Sequence, residues 1–275
     1  MQIEHNKNEI RLYQERYITE LLERYDMTEA HTKATPIEVH TPLAKAKEDE
    51  PLCDQQQYQS IIGSLMYAAV ATRPDISHAT AFLSQFSSKP TITHLKAAKR
   101  VLQYLKGTIT KGICYKKDGT ETPLQVYSDS SFASNLTDRK SFTGLIIQTF
   151  GHTVIWRSKK QNTVALSTTE AEYVALSFAA RQSIWVNRGL SHMGINTKPI
   201  IYGDNTASIK LTSNQGVSDR TKHIDVRHHH IRELVEKREI DIGQVGTKDN
   251  IADICTKGLT RDVFEDMLVK LGMET

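Results

Sequence analysis

From residue 55 to residue 107 apolar side chains recur at every third or fourth position, and from about residue 122 they fall into short β-rich runs. The first pattern is the period of helices and the second that of strands. Ahead of both, QIEHNKNEIRLYQ predicts a short hairpin and ERYITELLERYDM an amphipathic helix. ATPIEVHTPLAKAKEDEPL (34–52), with Pro36, Pro42, Pro51 and mixed charge, suits an extended surface connector. The helical stretch divides into YQSIIGSLMYAAVA, a second helix after Pro74 with Asp75 as candidate N-cap, and a third from about Thr93 to Lys106. Gly107 stands where a helix C-cap glycine belongs. In the third helix Leu95, Ala98, Leu102 and Leu105 form the buried stripe, and Lys96, Lys99, Arg100, Gln103 and Lys106 lie broadly opposite. That basic side is either a solvated face or a phosphate-contacting one.

The strand region opens with LQVYSDS, FTGLIIQTFG and HTVIWRSKK. A polar loop ending in DRKS joins the first two, and Phe150-Gly151-His152 is a tight-turn signal between the last two. A long helix (STTEAEYVALSFAARQSIWVNRGL), a strand (PIIYGD) and a short helix (NTASIKLTSN) follow. Then come a second long helix (HIDVRHHHIRELVEKR), a strand (EIDIGQVGT) and a closing helix from about Ile251. The order βββαβαβα implies a mixed sheet flanked by helices, an α/β domain.

At 275 residues, two domains are a better expectation than one. Composition, 24% charged and 39% hydrophobic, excludes a disordered chain, and a net charge of +3 is too small to argue for nucleic acid by itself. Cys53, Cys114 and Cys255 are odd in number and far apart, as expected of free thiols in a reducing compartment. IIGSLMYAAVA (61–71), the longest apolar run, is too short to span a bilayer, and no signal peptide precedes it. An intracellular, soluble protein is expected, with no membrane partner.

Four acids fall where α/β sheets collect ligands, at strand ends and helix starts. Asp129 is on or just past the first strand, Glu172 one turn into the long helix, Asp204 where PIIYGD hands over to a helix, and Asp253 in the first turn of the final helix. Converging there, they would repel one another unless a cation sat between them, and an all-oxygen set suits Mg²⁺. Taken singly, Asp129 is an ordinary turn residue, Asp204 an N-cap with Asn205 as rival, and Asp253 a complement to the helix dipole. Glu172 resists such an account. Ser167-Thr168-Thr169-Glu170 fits a capping box, which gives Glu170 a structural task. Glu172 points about 200° round the helix from it, on the stripe of Ala175, Leu176, Ala179 and Ala180. A carboxylate on that face is costly without a partner or a metal.

His223, His228, His229 and His230, with Asp225, invite a zinc site, since Asp225 and His229 are an i, i+4 pair. They lie in a charged helix with no cysteine nearby, so a solvated or interface-facing cluster is preferred. No nucleophile elbow, P-loop or dinucleotide fingerprint occurs.

TRPDISHA, KAAKRVLQYLKGT, DRKSFTG, SKKQNTVALSTTEAEYVAL, DNTAS, KHIDVRHHHIRE and IADICTKGL occur in this order. In that order they closely resemble copia-type (Pseudoviridae) retrotransposon polyproteins, at the end of the reverse transcriptase and its ribonuclease H domain. The resemblance covers nearly the whole chain. It implies a ribonuclease H-like five-stranded mixed sheet at 120–275, preceded by a mostly helical thumb and connection segment at 1–112. It also implies cleavage of the RNA strand of an RNA–DNA hybrid during reverse transcription. Asp129, Glu172, Asp204 and Asp253 become the catalytic and metal-holding set. Two Mg²⁺ ions, with Mn²⁺ as a substitute, would be held there, Asp129 bridging them. Arg139, Lys140, Arg157, Lys159 and Lys160 become candidate phosphate contacts, with Lys96, Lys99 and Arg100 on the basic helix. The remaining partner is the rest of the reverse transcriptase, and the location a retrotransposon particle in the cytoplasm or the nucleus.

Three departures stand out. Ser131 and Phe132 stand where the family often has a second acid and a Trp, and His230 replaces a usual aromatic. No Tyr-x-Asp-Asp occurs, so the polymerase palm is absent and unaided polymerisation is not expected. The main alternative is a degenerate or domesticated remnant that binds nucleic acid or a polymerase partner; the presence of all four acids favours retained chemistry. The Glu in the first helix after three strands, with the DNIAD string, argues against a third option, an integrase-like nuclease.

Overall fold

The computed structural model describes residues 1–39, 41–117, 119–120, 122–213 and 225–275, with backbone alone for 213 and 225–229. Two compact units emerge, one formed by Met1–Asp118, Asn135–Arg139 and Lys257–Thr275, the other by Gly119–Ser134 and Lys140–Thr256.

In the first unit the predicted hairpin is present as β1 (Gln2–His5) and β2 (Glu9–Tyr13), followed by α1 (Glu15–Arg24). The hairpin is half of a four-stranded antiparallel sheet. Its other strands, β3 (Gly112–Lys116) and β9 (Met273–Glu274), were not foreseen, because GICYK and ME are too short to show a period. α2 (Gln55–Ala71) starts at Asp54, whose carboxylate accepts from the amides of Gln56 and Gln57. α3 (Ser77–Ser84) and α4 (Ile92–Lys106) complete the helical layer, packed around buried Tyr58, Ile61, Leu65, Leu83, Val101 and Leu102.

Asp75 is not an N-cap. It lies inside a 3₁₀ turn, Pro74–Ile76, 1% exposed, and its carboxylate meets the Arg73 guanidinium at 2.7 Å and the Tyr104 hydroxyl at 2.6 Å. Arg73, fully buried, also donates to the Thr108 carbonyl and hydroxyl. Gly107 ends α4 with right-handed backbone (φ −74°), so no left-handed cap is needed; Thr32 is the close neighbour there. The connector carries no regular element, as expected, yet Thr35, Ile37 and Leu43 are buried. Arg100 ion-pairs with its Glu38 at 2.5 Å, and Lys106 donates to the Ala30 carbonyl at 2.9 Å. Two cations of the basic helix are therefore committed within the unit.

The second unit holds the five-stranded mixed sheet that the ribonuclease H resemblance implies. β4 (Leu124–Ser131), β5 (Phe142–Thr149) and β6 (His152–Lys160) are antiparallel, and β7 (Ile200–Gly203) and β8 (Asp241–Gln244) add in parallel, giving the order β6-β5-β4-β7-β8. Phe150 (φ +52°) and Gly151 (φ +82°) form the two-residue β5–β6 turn, both left-handed as a type I′ hairpin turn requires. α5 (Thr168–His192), α6 (Thr206–Ser213) and α7 (Asp225–Glu236) flank the sheet. Alternate β4 residues Leu124 and Val126 join Leu145, Ile147, Tyr173, Leu176, Ala179 and Ala180 in one buried core.

The end of the chain differs from expectation in two ways. The segment at Ile251 is a 3₁₀ turn, Ile251–Cys255, capped by the Asn250 side chain, and the closing helix α8 begins only at Arg261. α8 and β9 also cluster with the first unit instead of closing the 120–275 domain: β9 pairs with β3, and Phe264 meets the Tyr104 ring at 5.6 Å. Apolar Phe264, Met267 and Leu268 on α8 find their burial there. No helix among the described residues is long and apolar enough to cross a membrane.

Removing one partner from a buried ion pair leaves an uncompensated charge, at a cost of about 3–5 kcal/mol. Asp75→Ala is thus expected to destabilise the protein by that order in urea unfolding followed by circular dichroism. A change within about 0.5 kcal/mol, the range of ordinary surface substitutions, would show the Arg73–Asp75–Tyr104 network to be dispensable.

Candidate active site

β4 and β7 run parallel with Tyr127 level with Tyr202, so two residues further on Asp129 and Asp204 come level at neighbouring strand ends. Asp129 is 3% exposed. Asp204 is half-buried just past Gly203 and is left free of capping duty, because Asn205 accepts from the Ser208 amide at 2.9 Å and caps α6 itself. Glu172 arrives from α5 on the predicted stripe; Ala175, Leu176, Ala179 and Ala180 are all buried beside it. It is 8% exposed and accepts from the Ser130 amide at 3.2 Å. One carboxylate oxygen each from Asp129, Glu172 and Asp204 lies within 4.8 Å of the others. Asp253, 5% exposed, sits on the 3₁₀ turn; it is not one of that trio, though its charge is felt at Glu172.

The capping box is only half formed. Ser167 accepts from the Glu170 amide, but the Glu170 carboxylate accepts from Leu166 rather than Ser167. Glu170 nonetheless has the structural task expected, which leaves Glu172 to the sheet.

Burial is the main force on Glu172. Loss of solvent, then the charges of Asp129, Asp204 and Asp253, push its carboxyl up to about 9, against a smaller opposing effect of the Ser130 amide bond. Around neutrality a proton therefore sits on Glu172 when no cation balances the cluster. The donor set fits a hard divalent cation: oxygen atoms only, convergent, mutually repulsive and largely shielded from water.

Three supporting residues were not singled out from the sequence. Gln161, buried just after β6, donates through Nε2 to Ser130 Oγ, Thr143 Oγ1 and the Ala171 carbonyl, tying the ends of β4 and β5 to the start of α5. Asn250 donates to the Ser128 carbonyl at 3.0 Å and accepts from the Ala252 amide, so one side chain caps the 3₁₀ turn and fastens it to β4. Thr256 directs its hydroxyl to Asp129 Oδ2. Asn-x-x-Asp before an apolar pair was a legible capping signal for Asn250; Gln161 and Thr256 carry no local signal, because their partners are distant in sequence. Gly144, opposite Asp129 in the ladder, lets the 3₁₀ turn approach: a Cβ there would lie 2.5 Å from the Ala252 carbonyl oxygen. Cys255 lies beneath, its thiol pushed up to about 12 by burial and then by Asp129. The three cysteines are free.

The cations expected to touch phosphate are distributed over both units. Arg157 and Lys159 are exposed on edge strand β6, the Lys159 ammonium 5.6 Å from the Phe178 ring centre, and Lys160 is half-buried at its end. Lys140 is half-buried next to β5, whereas Arg139 is exposed, left-handed (φ +54°) and clusters with the first unit. In α4, Lys96 is exposed, Lys99 half-buried and Arg100 engaged by Glu38. Ser131 bonds to Ser134 at 2.9 Å, and Phe132 is exposed. His223, the side chains of Asp225, His228 and His229, and with them the zinc grouping, lie outside the described residues.

No family model matches the chain. The retrovirus-related Pol polyprotein from transposon TNT 1-94 of Nicotiana tabacum is 38% identical over 278 residues, 99% of this chain and 21% of its own length. That from transposon RE1 of Arabidopsis thaliana is 39% identical over 266 residues, 96% of this chain and 18% of its own. The chain thus spans about a fifth of the length of these curated relatives. Among solved structures, LC11-RNase H1, isolated from compost, is 15% identical, with a TM-score of 0.39 over 54% of this chain and 99% of that one.

Because Glu172 titrates near 9 in the folded protein and near 4.5 otherwise, its contribution to stability is complete below about pH 4.5 and lost as the pH rises through 9. Cation-free protein is expected to lose stability across that window relative to Glu172→Gln, and added Mg²⁺ to restore it. Parallel pH–stability curves for the two proteins would contradict this electrostatic picture. Matched from end to end by these relatives, the chain belongs to the copia-type retrotransposon Pol family.

Proposed function

We propose that the chain is a metal-dependent endoribonuclease that cuts the RNA strand of RNA–DNA hybrids. One observation carries the proposal: Asp129, Glu172 and Asp204 converge within 4.8 Å at the end of a five-stranded mixed sheet. Family membership supports it, and so does the retention of Asp253 beside the trio.

Asp129, Glu172 and Asp204 would hold two Mg²⁺ ions, with the buried Asp253 adding negative charge beside them. Bound there, the ions would supply a hydroxide-like nucleophile at neutral pH and stabilise the departing 3′-oxygen. The protein's own work is mainly placement. Burial keeps Asp129 and Glu172 from reorienting, and the Ser130 amide fixes one oxygen of Glu172. Loading the site requires Glu172 to give up the proton it otherwise keeps, so occupancy falls as the medium becomes acidic. A hybrid duplex is recognised by its shape and by 2′-hydroxyl contacts across the minor groove. Arg157, Lys159 and Lys160 on β6 and Lys140 beside β5 are the phosphate contacts of the second unit, and Arg139, Lys96 and Lys99 those of the first.

The direct test is incubation of labelled RNA–DNA hybrid with Mg²⁺, comparing the wild type with Asp129→Asn. Cleavage of the RNA strand is expected only with the wild type, and binding with both. A wild type that binds hybrid without cutting it excludes the enzyme; equal cutting of DNA duplex excludes the substrate class. For the basic helix, Lys96→Ala with Lys99→Ala is expected to lower the slope of log affinity against log salt by about 2, near one for each phosphate no longer neutralised. An unchanged slope returns that helix to solvent. Arg100 is left out because Glu38 already neutralises it.

A further inference from the structure

Thr256 follows the 3₁₀ turn that carries Asp253, is 1% exposed, and is held from two directions. Its methyl group fills the space that a side chain at position 144 would need: a Cβ there would lie 2.6 Å from Thr256 Cγ2. Since Gly144 pairs with Asp129 across the ladder, the missing side chain opens a slot directly beside that carboxylate. Thr256 occupies the slot. Its hydroxyl has one proton and two acceptors in reach, Asp129 Oδ2 and the Asp253 carbonyl at 3.1 Å. The Asp253 carbonyl already accepts from the Thr256 amide at 3.0 Å. The carboxylate, being charged, is the stronger acceptor, and the hydroxyl donates its hydrogen bond to it.

We propose that Thr256 is a positioning residue for Asp129. Its hydroxyl, with the methyl group locked against Gly144, holds the carboxylate in one orientation and couples it to the turn bearing Asp253. The inference rests on the metal-holding role given above to Asp129. Carboxylates that bind metals are commonly oriented by such hydrogen bonds, and loss of the partner costs about 10–100-fold in metal affinity or activity. Thr256 thus acts on the site through Asp129 and touches neither cation nor substrate.

The experiment is Mn²⁺ titration by electron paramagnetic resonance, with cation-free melting curves alongside, for wild type, Thr256→Val, Thr256→Ser and Asp129→Asn. Thr256→Val keeps the shape and removes the hydroxyl, and is expected to weaken Mn²⁺ binding about 10-fold or more. Thr256→Ser keeps the hydroxyl and is expected to bind close to wild type. If Thr256→Val does not fold, Thr256→Ala against Thr256→Ser isolates the hydroxyl in the same way. Wild-type affinity in Thr256→Val, or equal weakening in the valine and serine variants, overturns the positioning role. A wild type that takes up no Mn²⁺, or an Asp129→Asn protein that binds as well as the wild type, overturns the metal reading itself.

Discussion

Three carboxylates brought within 4.8 Å of one another, two of them buried, are the arrangement around which the second unit is built. Such a cluster gains nothing from the hydrophobic effect and is opposed by desolvation and mutual repulsion, which is why Glu172 keeps its proton so far up the pH scale. It persists because the surrounding structure overdetermines it. β4 and β7 in parallel register set two of the acids level, and α5 delivers the third on a stripe of small side chains that lie close to the sheet.

Around this centre, polar side chains act as fasteners between elements remote in sequence. Gln161 joins three segments through one amide group. Asn250 fixes the 3₁₀ turn to β4. Both are buried, and both direct their hydrogen bonds to backbone or hydroxyl groups, as buried polar side chains do. β5 is buried along nearly its whole length and β4 at Leu124, Val126 and Ser128–Ser130, as strands covered on both faces are.

Much of this is legible in the sequence, for identifiable reasons. Helical periods and turn signals locate α2, α4, α5 and the β5–β6 hairpin, because local patterns follow from local backbone geometry. Glu172 stands out as a charge on an apolar stripe, and Asp129 and Asp204 as acids at strand ends. What escapes depends on pairing at a distance. GICYK is a strand because it lies between β2 and β9. Asp75 resembles a cap because Pro74 precedes it, whereas Arg73 and Tyr104 claim it for the interior. The basic side of α4 reads as uniformly free until the connector folds Glu38 onto Arg100. Thr256 has no visible role until Gly144 is found opposite Asp129.

The final pairing of β9 with β3 has a consequence for how the chain is organised. Apart from Asn135–Arg139, which cluster with the first unit, residues 119–256 form a long excursion within the first unit's own sequence, left after β3 and re-entered at Lys257. The sheet that bears the carboxylates is in that sense an insertion, anchored at both ends in a neighbour whose last strand is made only after the insertion has been completed. Trimming the chain after Thr256 would therefore keep Asp129, Glu172, Asp204 and Asp253 while taking a strand and a helix from the other unit. Residues 257–275 belong to the architecture of the beginning.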